Sequence, residues 1–186
     1  MRPLGPACRG TGKDDPIALS TGGFALAFCM GEVQDGDAFI DRALALNPNL
    51  ATAWHFGGWV SVWLGEPQKA IDRVERAMRL SPLDPFAYLA QGSVALAHFA
   101  AGHYEEARSW AQRSIRERPN FLPSIRIFAA SCAMAGRQEE AEKAAARVRQ
   151  LNPAFRMSDV KDLYRASHPE DLARYEEALR KAGLPE

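Results

Sequence analysis

The residues of this 186-residue chain best able to hold a metal or attack a bond are His55, His98, His103 and His168, with Cys8, Cys29 and Cys132. Metal sites draw on ligands that a short spacing brings together, such as HxxxH on a helix face or CxxC in a turn. None of these residues stands at such a spacing, so no metal is expected. The stretch GTGKD, residues 10–14, lacks the earlier glycine, the Ser or Thr after Lys13 and the preceding strand that a phosphate loop requires. Cys29 and His55 are a candidate nucleophile and base, but no third residue orients the histidine and no oxyanion donor can be assigned. Cys132 reads as a small buried hydrophobe. His98 reads as a hydrogen-bonded core histidine, and His103 and His168 as solvent-facing turn residues. The expectation is a chain without catalytic residues or cofactor.

Recognition by aromatic surface is the other chemistry on offer. Residues 54–63, WHFGGWVSVW, hold three of the four tryptophans, a histidine and a glycine pair. Lys plus Arg and Asp plus Glu total 23 each, a net charge of zero, so there is no basic excess of the kind a nucleic-acid surface carries. The apolar run FALAFCM is seven residues long, with Asp14 and Asp15 upstream and no small-residue cleavage site after it, so neither a signal peptide nor a membrane span is expected. Scattered cysteines fit a reducing cytoplasm.

Abundant alanine and scarce β-branched runs predict helix almost throughout. The helices are organised by a repeat. Gly31, Gly65, Gly102 and Gly136 are spaced by 34, 37 and 34 residues. Each precedes by five a small residue (Gly36, Ala70, Ala107, Ala141), and each of those precedes by twelve a proline (Pro48, Pro82, Pro119, Pro153). An apolar stretch runs up to each glycine and a charged amphipathic one follows it. Glycine suits the turn between two helices, and proline ends the second. In the second helices acids precede bases by four, as in Asp72 with Arg76, Glu75 with Arg79 and Glu139 with Lys143, which marks a solvated outer face.

This 34-residue helix-turn-helix unit resembles the tetratricopeptide repeat (TPR) family. Residues 51–84 match best, with Trp54, Gly58, Ala70 and Pro82 at the family's positions; Gly57, Ser61 and Val74 depart from its leucine, tyrosine and phenylalanine. The units are 17–50, 51–84, 88–121 and 122–155. Stretches such as IDRALALNPN, GEPQKAIDRVERAMRLSPLDP and HPEDLARYEEALRKAGLPE further resemble the C-terminal TPR region of bacterial class III adenylate/guanylate cyclases, without any cyclase domain. The resemblance implies an all-α, right-handed solenoid. Residues 1–15, rich in Gly, Pro and charge, are expected to be disordered. Residues 156–186 are expected to form capping helices, with Leu172, Tyr175 and Leu179 as an apolar stripe that seals the last repeat.

Helical spacing divides the aromatic stretch. Trp54, Gly57, Gly58 and Ser61 fall on one stripe, facing the paired second helix, where small residues let backbones approach. His55, Trp59, Val62 and Trp63 fall on the other, which by the TPR resemblance lines the concave groove. Equivalent positions are Thr21, Ala25, Phe28 and Cys29, then Leu89, Gly92, Leu96 and Phe99, then Arg126, Ala130, Ala133 and Met134. The expected site is therefore Phe28, His55, Trp59, Trp63, Phe99, Arg126 and Met134, with Trp59 and Trp63 as anchors and Arg126 pairing with an acidic group. Either a partner covers these rings or tight curvature packs them on one another. The implied function is a non-catalytic module binding a protein or peptide; the alternative is a detached regulatory or self-association module of a cyclase-type signalling protein. Neither nucleic acid nor membrane is an expected partner. Residues 17–30 carry no charge and lack an upstream repeat to cover them, which points to a homodimer through that face.

Overall fold

The computed structural model describes residues 15–160 and 168–185. The expected disorder of residues 1–15 and part of the expected C-terminal cap therefore lie outside the described residues. Helices pair in chain order: α1 (Pro16–Ala25) with α2 (Val33–Leu46), α3 (Ala51–Trp63) with α4 (Pro67–Leu80), α5 (Ala87–Ala100) with α6 (Tyr104–Glu117), and α7 (Leu122–Met134) with α8 (Gln138–Leu151). A 3-10 turn (Met157–Asp159) and α9 (Pro169–Lys181) follow. The described residues contain no strand. The first helices stack on one another in one layer and the second helices form the other, giving a helical solenoid of TPR type. None of these helices is long and apolar enough to cross a membrane.

The repeat spacing has a direct physical cause. At the end of α3 the Gly65 N–H donates to the Val62 carbonyl at 3.0 Å and the Glu66 N–H to the Ser61 carbonyl at 2.9 Å. This closing pair needs Gly65 in the left-handed region, and its φ is +77°. Gly31, Gly102 and Gly136 share that backbone conformation. Nine residues after each of these glycines the second helix lies against the first. There Ile40, Val74, Ala111 and Ala145, one from each unit, are wholly buried. Trp54 is half-buried, and its indole N–H donates 2.8 Å to the Pro48 carbonyl, tying the start of α3 to the preceding turn.

Gly57, Gly58 and Ser61 face α4, as their spacing predicts. A Cβ on Gly58 would lie 2.2 Å from Val74 Cγ2. Gly57 makes room for something else. The Arg73 guanidinium, only 5% exposed, lies over it and donates to the Gly57 carbonyl (3.2 Å) and the Ser61 hydroxyl (2.9 Å). It also pairs with Asp37 and Asp41 of α2, while Lys69 bridges Asp37 and Glu66 at 3.0 Å each. One buried cation thus clips units 1 and 2 together. The outer-face pairs Glu75–Arg79 (3.4 Å) and Glu139–Lys143 (4.0 Å) form on the surface. Between α6 and α8 the acids Glu105 and Glu140 interlock with Arg108 and Arg137. Donation by Arg137 and then Arg108 holds the Glu105 carboxyl below its ordinary pKa.

Unit 1 departs from the strict repeat. Between Leu26 and Met30 its first helix opens into a π-helical turn, which carries one more residue than an α-turn. Gly23 thereby meets Gly36 (a Cβ on Gly23 would lie 2.6 Å from the Gly36 carbonyl), the counterpart of the Gly58–α4 contact. Residues of α1 are consequently displaced by one position from the register that spacing to Gly31 suggests.

The described C-terminal residues pack on units 2 to 4. Phe155, Met157 and Val160 are buried, and α9 packs on α7 through Tyr175, Ala178 and Leu179, with Leu172 partly buried. Its Tyr175 ring stands edge-on to Phe99 of α5 (5.3 Å), Arg174 donates to the Ala100 carbonyl (2.7 Å), and His168 Nε2 lies 3.2 Å from the Leu64 carbonyl. Beyond α9, Gln138 and Arg149 of α8 donate to the carbonyls of Lys181 (2.9 Å) and Gly183. α9 therefore lies along the first-helix layer, from the end of α3 at its start to unit 4 at its end.

Candidate functional site

The first-helix layer encloses an aromatic chamber of about 250 Å³, with Phe24, Phe28, His55, Phe56, Trp59 and Trp63 of units 1 and 2 on one side and Leu89, Phe121, Pro123 and Arg126 of units 3 and 4 on the other. Phe24 stacks on Phe56 at 4.5 Å and leans on Trp63 at 5.7 Å. Phe28 stacks on Trp63 at 5.9 Å, and Trp59 and Trp63 are 6.2 Å apart. Phe28 is exposed, His55, Phe56 and Trp59 are half-buried, and Trp63 keeps only 2% of its surface. The rings have packed on one another while an opening remains.

Polar atoms in these walls are few. Trp59 donates its indole N–H to His55 Nε2 at 3.2 Å. That nitrogen must then be unprotonated, and burial pushes the imidazole pKa down, against smaller opposing effects of Asp84 and the Leu89 backbone. His55 is therefore a neutral acceptor. Trp63 Nε1 is buried without an acceptor among the described residues. Arg126, 8% exposed, has its guanidinium 5.6 Å from the Phe155 ring and beside the Tyr175 hydroxyl, and no carboxylate among the described residues pairs with it. Burial raises the Tyr175 pKa despite this neighbour.

Of the seven residues expected here, Phe28, His55, Trp59, Trp63 and Arg126 come together. Two do not. Phe99 is buried between Tyr104 (5.4 Å) and Tyr175, because α9 lies over that part of the concave layer. Met134, at the end of α7, is half-buried against the core and away from the chamber. Trp63 is also more enclosed than a groove anchor should be, because the rings of unit 1 close over it. Cys29 and His55 are not brought together: Cys29 and Ala25 line a separate opening on the far side of α1, and Phe24 takes the chamber position instead, as the extra π-turn residue dictates. His98 is half-buried and its buried Nδ1 has no hydrogen-bond partner among the described residues, contrary to the expected hydrogen-bonded core histidine. His103 and His168 are exposed, although His168 contacts Leu64. Cys132 is fully buried, with its thiol pushed up to about 12 chiefly by burial. Among the described residues no three His, Cys, Asp or Glu cluster to hold a metal.

No family model and no curated protein matches the chain. Solved structures do. PilW, a type IV pilus biogenesis factor, superposes with a TM-score of 0.70 at 17% identity, over 90% of this chain and 77% of that one. YrrB, a TPR protein with an unusual peptide-binding site, gives 0.58 at 24% identity over 91% and 86%. MamA from Desulfovibrio magneticus RS-1 gives 0.57 at 23% identity over 75% of each chain. At such identities the likeness is one of fold, the TPR solenoid.

Proposed function

We propose that this chain is a non-catalytic interaction module that takes up a peptide at the aromatic chamber of the first-helix layer, with Phe28 and Trp59 as the rings that grip it. The observation that carries this reading is that α9 lies over the first-helix layer at Leu64, Phe99 and Ala100, while the aromatic chamber beside it stays open. An extended peptide docks there by inserting a side chain. The fold shared with YrrB, itself described as having a peptide-binding site, is consistent with this. No comparison supports the cyclase-linked alternative. Peptides selected from a displayed library against the folded protein should lose at least about tenfold in affinity, or ~1.4 kcal/mol, on Phe28→Ala or Trp59→Ala. Leu83→Ala, at a side chain 93% exposed on another surface, should leave them unchanged. Equal losses at all three positions would remove the chamber as the site.

A second reading rests on the opposite side of α1. An opening of about 590 Å³ is lined there by Leu19, Ala25, Leu26 and Met30 with Phe39 and Arg42 of α2. Met30 is 67% exposed, and α1 has no charged residue. This face fits a second copy, giving a two-fold homodimer. Leu19 is buried, so the informative substitution is Met30→Glu. Light scattering should find a dimeric wild type at high micromolar concentration and a monomeric, equally helical variant. A monomeric wild type ends this reading.

A further inference from the structure

We infer that the chamber accepts an aromatic ring bearing a carboxylate, with the ring held among Phe24, Phe28, Phe56 and Trp59 and the carboxylate set against Arg126 and the Trp63 indole N–H. This rests on the docking reading of the same site and names the chemistry of what docks.

Size gives the first argument. An apolar cavity of roughly 150 Å³ holds a benzene molecule. In proportion, about 250 Å³ holds one ring and a short substituent, around ten non-hydrogen atoms in all. A whole helix, about 10–12 Å across with its side chains, does not enter such a space.

Charge gives the second. Buried ions in proteins are normally paired, because an unpaired one keeps the cost of leaving water. Arg73 follows that rule with two aspartates. Among the described residues Arg126 has no such partner: it is nearly as buried, yet its neighbours there are a ring and a phenol. A cation left in an aromatic wall and facing open space is complementary to an anion that arrives from outside.

The third argument is a comparison along one helix. α3 carries three indole N–H groups. Trp54 donates to Pro48 and Trp59 to His55, whereas Trp63 has no acceptor among the described residues. Buried donors are rarely left so, and one that is points to an absent partner. A carboxylate has acceptor positions enough for both Arg126 and Trp63. Neutral His55 is held by Trp59 and adds no competing charge.

Titration calorimetry on the full chain tests this with phenylacetate and trans-cinnamate, their primary amides, and acetate alone. The acids should bind one per chain, the amides at least about tenfold more weakly, and acetate not measurably. Arg126→Gln should erase the acid–amide difference. Trp63→Phe, which keeps a ring but removes the N–H, should weaken the acids severalfold and the amides less. The wild-type acid–amide ratio stands even where a variant fails to fold. Equal binding of acid and amide, or no heat at millimolar acid, overturns the inference. A pentapeptide ending in phenylalanine, free or amidated, identifies the source. Tighter binding of the free-ended peptide than of the small acids places the ring and carboxylate at a chain terminus; weaker binding places them on a small molecule. Should the acids fail while library peptides still depend on Phe28 and Trp59, peptide docking stands and only the aryl carboxylate falls.

Discussion

Trp63→Ala is expected to lower the free energy of unfolding by about 3–5 kcal/mol, the range for deleting a buried indole. Trp59→Ala, at a half-buried ring one turn earlier, is expected to cost about half as much. Trp63 is the junction of the cluster: Phe24, Phe28 and Trp59 all lie against it, so its loss opens a cavity bounded by rings from two units. Urea unfolding followed by far-UV circular dichroism gives both numbers. Equal losses would mean that the cluster collapses around either gap, and that the chamber has no fixed shape to recognise anything.

Arg73→Met is the second large effect, again about 3–5 kcal/mol, because it leaves Asp37 buried with only Lys69 for a partner. Replacing Asp37 with leucine in the same chain should recover part of that loss, since an apolar pair of similar volume is often as stable as a buried ion pair. Arg79→Ala, which breaks an exposed pair with Glu75, should cost under about 1 kcal/mol. If Arg73→Met costs no more than Arg79→Ala, the cluster beneath Gly57 is not what joins units 1 and 2.

The solenoid was legible because its punctuation is backbone chemistry. A left-handed turn residue and a helix-ending proline recur whatever the side chains between them do, and the close approach at Gly57, Gly58 and Ser61 followed from three small residues on one stripe. Two things were hidden by the same logic. Spacing from Gly31 assigned Ala25 and Cys29 to the groove, because a π-turn leaves no mark in a count of residues. The paired charges of α4 read as a solvated face and Arg73 was not singled out among them, yet it is buried. Its signal was Gly57 itself: a missing side chain where the repeat favours leucine leaves room for a guanidinium across the helix pair. The walls Phe24, Phe56, Phe121 and Pro123 come from elements adjacent in space but not in the repeat frame, and α9's return over Phe99 depends on tertiary packing that periodicity does not encode.

That return changes what kind of array this is. An ordinary solenoid holds together through neighbours, so its stability adds up unit by unit and its ends can fray or be trimmed independently. Here His168 touches Leu64 across 104 residues of chain, and Arg174 reaches Ala100 across 74. A strap that ties the last element to the second unit couples their melting, so the interior units open together and not in sequence. It also places contacts of long sequence separation at the close of folding, when loop entropy must be overcome before they repay it. A protein whose repeats could have folded as a row of local events thus becomes a single cooperative body that finishes slowly.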